Sequence, residues 1–253
     1  GYWRAMSGQG QQKTLGIIGF GAFGQLAAAH LSTRFAIGVH DGAVPDERII
    51  AAGASPMAFA EAAVADVVLI AVPVQAMEAV IIALGQLVRP GATVIDVASV
   101  KLLPSTWLAE HIPDTTHIVA THPLFGPQSA AKGLAGRQLV LCPIRGDRHL
   151  KVAALGEKLG LRVRILSAEE HDREMAYVQA LTHLIGRSLS QMHIPDEQLK
   201  TQTYQHLLDL TGLIGNDSFE LFTAIQMMNP FARDVVTDFV ARASDLLEQT
   251  RPT

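Results

Sequence analysis

A strand–turn–helix signature near the start of this chain leaves few folds open to it. Leu15-Gly16-Ile17-Ile18 is a short apolar run that feeds directly into Gly19-Phe20-Gly21-Ala22-Phe23-Gly24. Each glycine of this G-x-G-x-x-G spacing has a physical reading. Gly19 permits a tight turn out of the strand, Gly21 lets a pyrophosphate approach the backbone, and Gly24 lets the following helix pack closely on the strand. That helix, expected to run through Leu31, would offer unbonded N–H groups and a positive dipole end to an anion. The loop as a whole, with Phe20, Ala22 and Phe23 beside the glycines, is therefore expected to hold a dinucleotide. A second strand over residues 35–39 ends close to Asp41, 22 positions after Gly19. A carboxylate there can accept hydrogen bonds from ribose hydroxyls and repels a 2′-phosphate, which favours NAD over NADP. The plainer reading is that Asp41-Gly42 is a turn dipeptide.

The alternation of strand and helix continues. Ser55-Pro56 reads as the opening of an alanine-rich helix, with serine as N-cap and proline at the first helical position. Residues 67–72 form a continuous apolar run, as expected of a strand covered on both faces. A helix over 76–87 follows, then strands over 93–97, 117–120 and 138–141, a helix over 150–159 and a strand over 162–166. This pattern predicts an α/β fold with a doubly wound, Rossmann-type parallel sheet across residues 13–167. After Ser167 the period changes. Met175, Val178, Leu181, Ile185 and Leu189 recur at spacings of three and four, the mark of a long helix. Segments 217–228 and 231–247 are apolar on more than one face, so a partner subunit is expected to cover them. Residues 168–253 are predicted to form an all-helical substrate and dimerisation domain, and the chain a homodimer.

Composition removes other classes. A formal net charge of −4 argues against a nucleic-acid partner, which needs a basic face. The one cysteine, Cys142, allows no internal disulfide, fits a reducing cytoplasmic setting, and reads as a small buried hydrophobe. No uninterrupted apolar run reaches the ~20 residues that span a membrane; the nearest, 67–84, carries Pro73, Gln75 and Glu78. Residues 1–13 are polar, without the apolar centre of a signal peptide, and Met6 reads as a native start. The histidines show no ligand spacing, so no metal site is expected.

Chemistry should collect at the C-terminal ends of the strands, where open α/β sheets bind ligands. Val72-Pro73 lies at one such end. Asp96-Val97-Ala98-Ser99-Val100-Lys101 lies at another and places Ser99 toward the nicotinamide side, although Ser99-Val100-Lys101 also reads as a helix cap with a solvated lysine. At a third, Thr121-His122-Pro123-Leu124-Phe125-Gly126-Pro127 delivers a histidine into a turn rich in proline and glycine. These motifs, with Glu169-Glu170-His171-Asp172, Gln179-Ala180-Leu181-Thr182-His183, Leu207-Leu208-Asp209-Leu210 and Asp217-Ser218-Phe219-Glu220-Leu221-Phe222, resemble the prephenate/arogenate dehydrogenases of tyrosine biosynthesis. The later segments are most similar to the plant arogenate type and its bacterial relatives. The likeness runs in order from Lys13 onward.

The resemblance implies oxidative decarboxylation of a cyclohexadienol with hydride transfer to NAD or NADP. It assigns His122 the proton of the ring hydroxyl, a task suited to an imidazole with an ordinary pKa of about 6.5. Ser99 would hold that hydroxyl, and Gln179 and His183 would face the substrate side chain and nicotinamide. One position departs from the pattern. Many members carry an arginine after the equivalent of Asp209-Leu210-Thr211, where it binds a substrate carboxylate; Gly212 stands there. Arg187, Lys132, Arg233 or a group from a second subunit could supply the missing cation. Asp217, if it lies near the substrate side chain, would favour the ammonium of arogenate over the keto group of prephenate. Two other readings compete. β-Hydroxyacid dehydrogenases and imine reductases share this layout, but the former place a lysine on the first long helix after the sheet, and 171–191 contains none. A non-catalytic NAD-binding dimeric sensor would need the glycine loop but not His122, Ser99 and His183 together.

Overall fold

The structure, a computed structural model, describes residues 12–215 and 217–251; Met6 lies outside them. Among the described residues eight strands form one sheet in the order β3-β2-β1-β4-β5-β6-β7-β8. They are β1 (Lys13–Ile18), β2 (Phe35–His40), β3 (Ser55–Pro56), β4 (Val67–Ile70), β5 (Thr93–Asp96), β6 (His117–Pro123), β7 (Gln138–Arg145) and β8 (Arg162–Ile165). The order reverses between β1 and β4, the switch point at which doubly wound sheets open a ligand crevice. Helix α1 (Ala22–Leu31) follows β1. Ile17, Val39, Val68, Val94, Ile118 and Leu141 are fully buried, each contributing roughly 1.5–3 kcal/mol relative to exposure. The Rossmann-type sheet and the helical second part are thus as expected from the sequence.

Four local expectations are corrected. The sheet is not wholly parallel: β1 to β6 run together, β7 pairs antiparallel with β6, and β8 parallels β7. Ser55-Pro56 does not open a helix but forms edge strand β3, pairing with Gly38 and Val39, a place where proline's missing N–H costs nothing. The helix there begins at Phe59, and Glu61 Oε2 accepts the Ala58 N–H at 3.1 Å. His122 is not in a turn; it is the penultimate residue of β6, opposite Val140.

The fourth correction lies beyond the sheet. Contacts divide the chain into two compact units, Gly1–Ala168 and Glu169–Thr253. The second unit begins with an α-helix over Ala168–Met175, a π-helical segment over Ala176–Leu181, and a further α-helix over Thr182–Met192. The wider π turn rotates the apolar face, so Val178 is 59 % exposed while Ala176 and Ala180 are buried. A carbonyl displaced from ordinary helical pairing needs another donor, and Gln226 Nε2 donates to Ala180 O at 2.7 Å. The Glu169–Asp172 motif is also structural at its end: His171 Nδ1 and Asp172 Oδ1 lie 2.8 Å apart, both wholly buried, and Asn229 Nδ2 donates to Asp172 O.

Candidate active site

The register of the parallel strands aligns one row of residues across the sheet: His40, Ile18, Ile70, Asp96 and Ala120. Everything just past this row shares the C-terminal edge. That includes the glycine loop after β1, Asp41 after β2, Val72-Pro73 after β4, Ser99 after β5, and His122 at the end of β6.

The glycine loop has the shape its spacing implies. Gly19 adopts φ +97°, and a Cβ there would lie 2.6 Å from Ala71 O. At Gly24 a Cβ would meet Gly19 O at 2.3 Å, so helix and turn touch through backbone. Gly21 differs: a Cβ there would meet nothing within 4 Å. That open space lies at the N-cap of α1, which has neither a side-chain cap nor an acid in its first turn. Its unbonded N–H groups suit a pyrophosphate. Asp41 is held beside the loop. Its Oδ2 accepts the Phe20 N–H at 2.6 Å, and its Oδ1 accepts those of Ala43 and Val44 at 2.8 and 3.0 Å. Burial alone would raise its pKa, but these backbone donors and nearby His40 hold the carboxyl below its usual value. The carboxylate is therefore ionised and held at the loop by backbone donors, those of Ala43 and Val44 being the contacts of a turn. The residues present fit a nicotinamide dinucleotide.

Between β5 and β6 the structure contains a charge pair that reading the sequence missed. Lys101, which as part of a helix cap would be solvated, is wholly buried, as is Asp96. Lys101 Nζ donates to Asp96 Oδ2 and, at 2.6 Å, to Thr121 O. Asp96 Oδ2 also accepts the Ala98 N–H at 2.9 Å, and Thr121 Oγ1 donates to Asp96 O at 2.6 Å. One ion pair thus pins the loop carrying Ser99 to the strand end carrying His122. Ser99 itself is half-buried, and His122 is 4 % exposed. The available signal was an aspartate ending a buried strand with a lysine five positions later.

The second unit forms its own polar cluster. His183 Nδ1 lies 3.7 Å from Asp217 Oδ2 and has no hydrogen-bond partner among the described residues. The Arg187 guanidinium stacks over Phe219 and Phe222, 5.1 and 5.2 Å from their centroids, and donates to Asp217 O at 3.3 Å. Gln179 is half-buried on the π-helical segment. Lys132, by contrast, is exposed in the connection before β7 and joins no cluster among the described residues. At Gly212 a Cβ would meet nothing within 4 Å, so no packing demand explains the glycine there. No group of three potential metal ligands occurs among the described residues.

Burial pushes the His183 imidazole below its ordinary 6.5; Asp217 pulls it partly back, and Arg187 pushes it down again. Because the folded value is depressed, the stability tied to neutral His183 is present above pH 6.5 and lost as pH falls through the folded value. Asp217→Asn removes the upward pull, so the His183 ring should titrate at still lower pH. NMR titration of its ring protons checks this; an upward movement would contradict the assigned cause.

Comparison with known proteins joins these features. The family described as prephenate dehydrogenase, nucleotide-binding domain, matches residues 46–163. Over 201 residues the chain is 30 % identical to a 4-amino-4-deoxyprephenate dehydrogenase of Streptomyces pristinaespiralis, covering 76 % of this chain and 67 % of that protein. The chain belongs to the prephenate dehydrogenase family. Within this family it is 34 % identical over 175 residues to arogenate dehydrogenase 2, chloroplastic, of Arabidopsis thaliana, covering 66 % of this chain and 49 % of the relative. The chain spans between 37 % and 49 % of the length of the first curated relatives it matches. A solved prephenate dehydrogenase of Aquifex aeolicus, in complex with hydroxyphenyl propionate and NAD+, superimposes with a TM-score of 0.76. It is 20 % identical, and the match covers 95 % of this chain and 91 % of that one. A second match, to a TYRAAT1-like C-terminal domain, covers residues 188–249.

Proposed function

We propose that this chain catalyses the oxidative decarboxylation of arogenate or prephenate, with NAD as the preferred cofactor. The observation that carries the reading is the placement of His122. It is a buried histidine ending β6, tied through Thr121, Asp96 and Lys101 to the Ser99 loop, on the same sheet edge as the glycine loop of a chain in this family. A bound oxidised nicotinamide supplies the hydride acceptor. The chain's own residues do the rest. Ser99 holds the ring hydroxyl, and His122 takes its proton as hydride leaves the same carbon and carbon dioxide departs with aromatisation. Neutral imidazole is the form required of that base.

The glycine loop residues Gly19, Phe20, Gly21, Ala22, Phe23 and Gly24, with Val72 and Pro73, are assigned to the cofactor. Asp41, ionised and fixed at the loop, disfavours a 2′-phosphate. NAD should therefore show a lower KM than NADP, with Asp41→Ala narrowing the gap; a lower KM for NADP in the wild type would overturn this assignment.

Gln179, His183, Arg187 and Asp217 are assigned to the substrate. Arg187, already beside Asp217, is the preferred carboxylate-binding cation in the absence of an arginine at Gly212, and Lys132 is the weaker candidate because it stands alone. Asp217 favours the ammonium of arogenate. Comparing kcat/KM for both substrates in wild type and Asp217→Asn tests this. The arogenate preference should fall at least tenfold; an unchanged ratio would remove Asp217 from substrate recognition.

The second unit is assigned to dimerisation as well as to substrate binding. Val178, Leu213, Phe219 and Met227 are each more than half exposed, and apolar patches of this kind mark interaction surfaces. Light scattering at micromolar concentration should give twice the chain mass; a monomer would contradict it. The setting assigned to the protein is cytoplasmic, in keeping with a single cysteine that allows no internal disulfide.

A further inference from the structure

The first unit contains a large cavity that shares Phe23 alone with the residues assigned to cofactor, substrate or catalysis. It is a groove of about 530 Å³ lying along the sheet face that carries α1, between that helix and the helix over His149–Lys158. Its floor is Leu15, Leu69 and Ile95 from three neighbouring strands, and Leu26 and Leu155 stand on opposite walls. This size falls within the roughly 300–1,000 Å³ of small-molecule sites. Leucine-lined space offers water few hydrogen-bond partners, so apolar atoms are its favoured contents.

The charges of the groove collect at one end. Lys13, Asp66 and Arg89 sit where β1, β4 and β5 begin, the edge opposite the glycine loop. Because β7 runs against β6, Arg145 lies beside Ile118 at this same edge, and Arg148 and Lys151 follow it there. Asp66 is the sole acid among the described lining residues. It is already engaged by Arg89 at 3.2 Å and by the Thr14 N–H and hydroxyl. Lys13, Arg148 and Lys151 therefore leave the mouth positive. At its other end the groove reaches Thr121 and Pro123, the two neighbours of His122.

We propose that this groove is a binding site for an amphipathic anion, an elongated apolar body carrying one carboxylate. The carboxylate would sit among Lys13, Arg148 and Lys151, with the apolar body along Leu15, Leu69 and Ile95. An occupant would touch α1, whose N-terminus carries the glycine loop, and β6 on both sides of His122.

Dodecanoate is the probe, with dodecanol as its uncharged counterpart, and binding is read by calorimetry on the full chain saturated with NAD. That readout needs no turnover, so it stands apart from the proposed reaction. Dodecanoate should bind at one saturable site per chain despite bound NAD. Arg148→Glu/Lys151→Glu should weaken it at least tenfold while leaving dodecanol unchanged. Leu155→Trp, which fills the groove, should abolish both; should that variant fail to fold, Ala27→Leu on the facing wall serves the same purpose. No saturable binding, binding lost when NAD is present, or binding indifferent to charge reversal would each overturn the proposal.

Discussion

Replacing His122 by asparagine is expected to lower turnover by about 10²–10⁴-fold, the range that a positioned general base contributes. Asparagine approximates the size and hydrogen-bonding reach of imidazole but cannot take up the hydroxyl proton. The position demands a close fit, because His122 is 4 % exposed and paired across the sheet with Val140. Cofactor affinity should hardly change, since the glycine loop and Asp41 belong to β1 and β2, beyond β4 and β5 in the sheet. The loss should fall on kcat. Turnover near that of the wild type would remove His122 from the chemistry.

Lys101→Met is expected to produce the largest loss of stability, about 3–5 kcal/mol, because it strands the buried Asp96 carboxylate without its cation. Two N–H groups, from Ala98 and Thr121, would remain to Asp96, and hydrogen bonds alone do not replace a countercharge in a dry interior. Adding Asp96→Asn should recover most of the loss, since the pair is then replaced by neutral groups of similar volume. Urea unfolding of the wild type, the single variant and the double variant separates the cases. A loss below about 1 kcal/mol for Lys101→Met would mean that the pair is more hydrated than its burial implies.

Much of the first unit was legible because its signals are local. The glycine spacing needs only ten residues, and Gly19 and Gly24 fill the roles their positions suggested. What escaped reading depended on partners far along the chain. An apolar run buried on both faces looks the same in either direction, so the sequence around Gln138–Arg145 did not reveal that β7 turns back on β6. His122 followed from the same error, because its place in the strand is completed by that antiparallel partner. Lys101 reads as solvated wherever it stands; only the fold encloses it with Asp96 and Thr121. Along Ala176–Leu181 a count of 3.6 residues per turn cannot register an inserted residue, which is why Val178 recurs in the apolar spacing with Met175 and Leu181 and yet lies exposed. In the second unit the meeting of His183 with Asp217 joins positions 34 apart in sequence, and the empty space at Gly212 becomes informative only once its surroundings are seen.

An assay of the chain with NAD or NADP and with arogenate or prephenate, following the absorbance of reduced nicotinamide, decides whether the proposed reaction occurs. NAD should be reduced in step with carbon dioxide release and formation of an aromatic product, faster with arogenate. Binding of NAD without reduction in the presence of either substrate would contradict the proposed reaction.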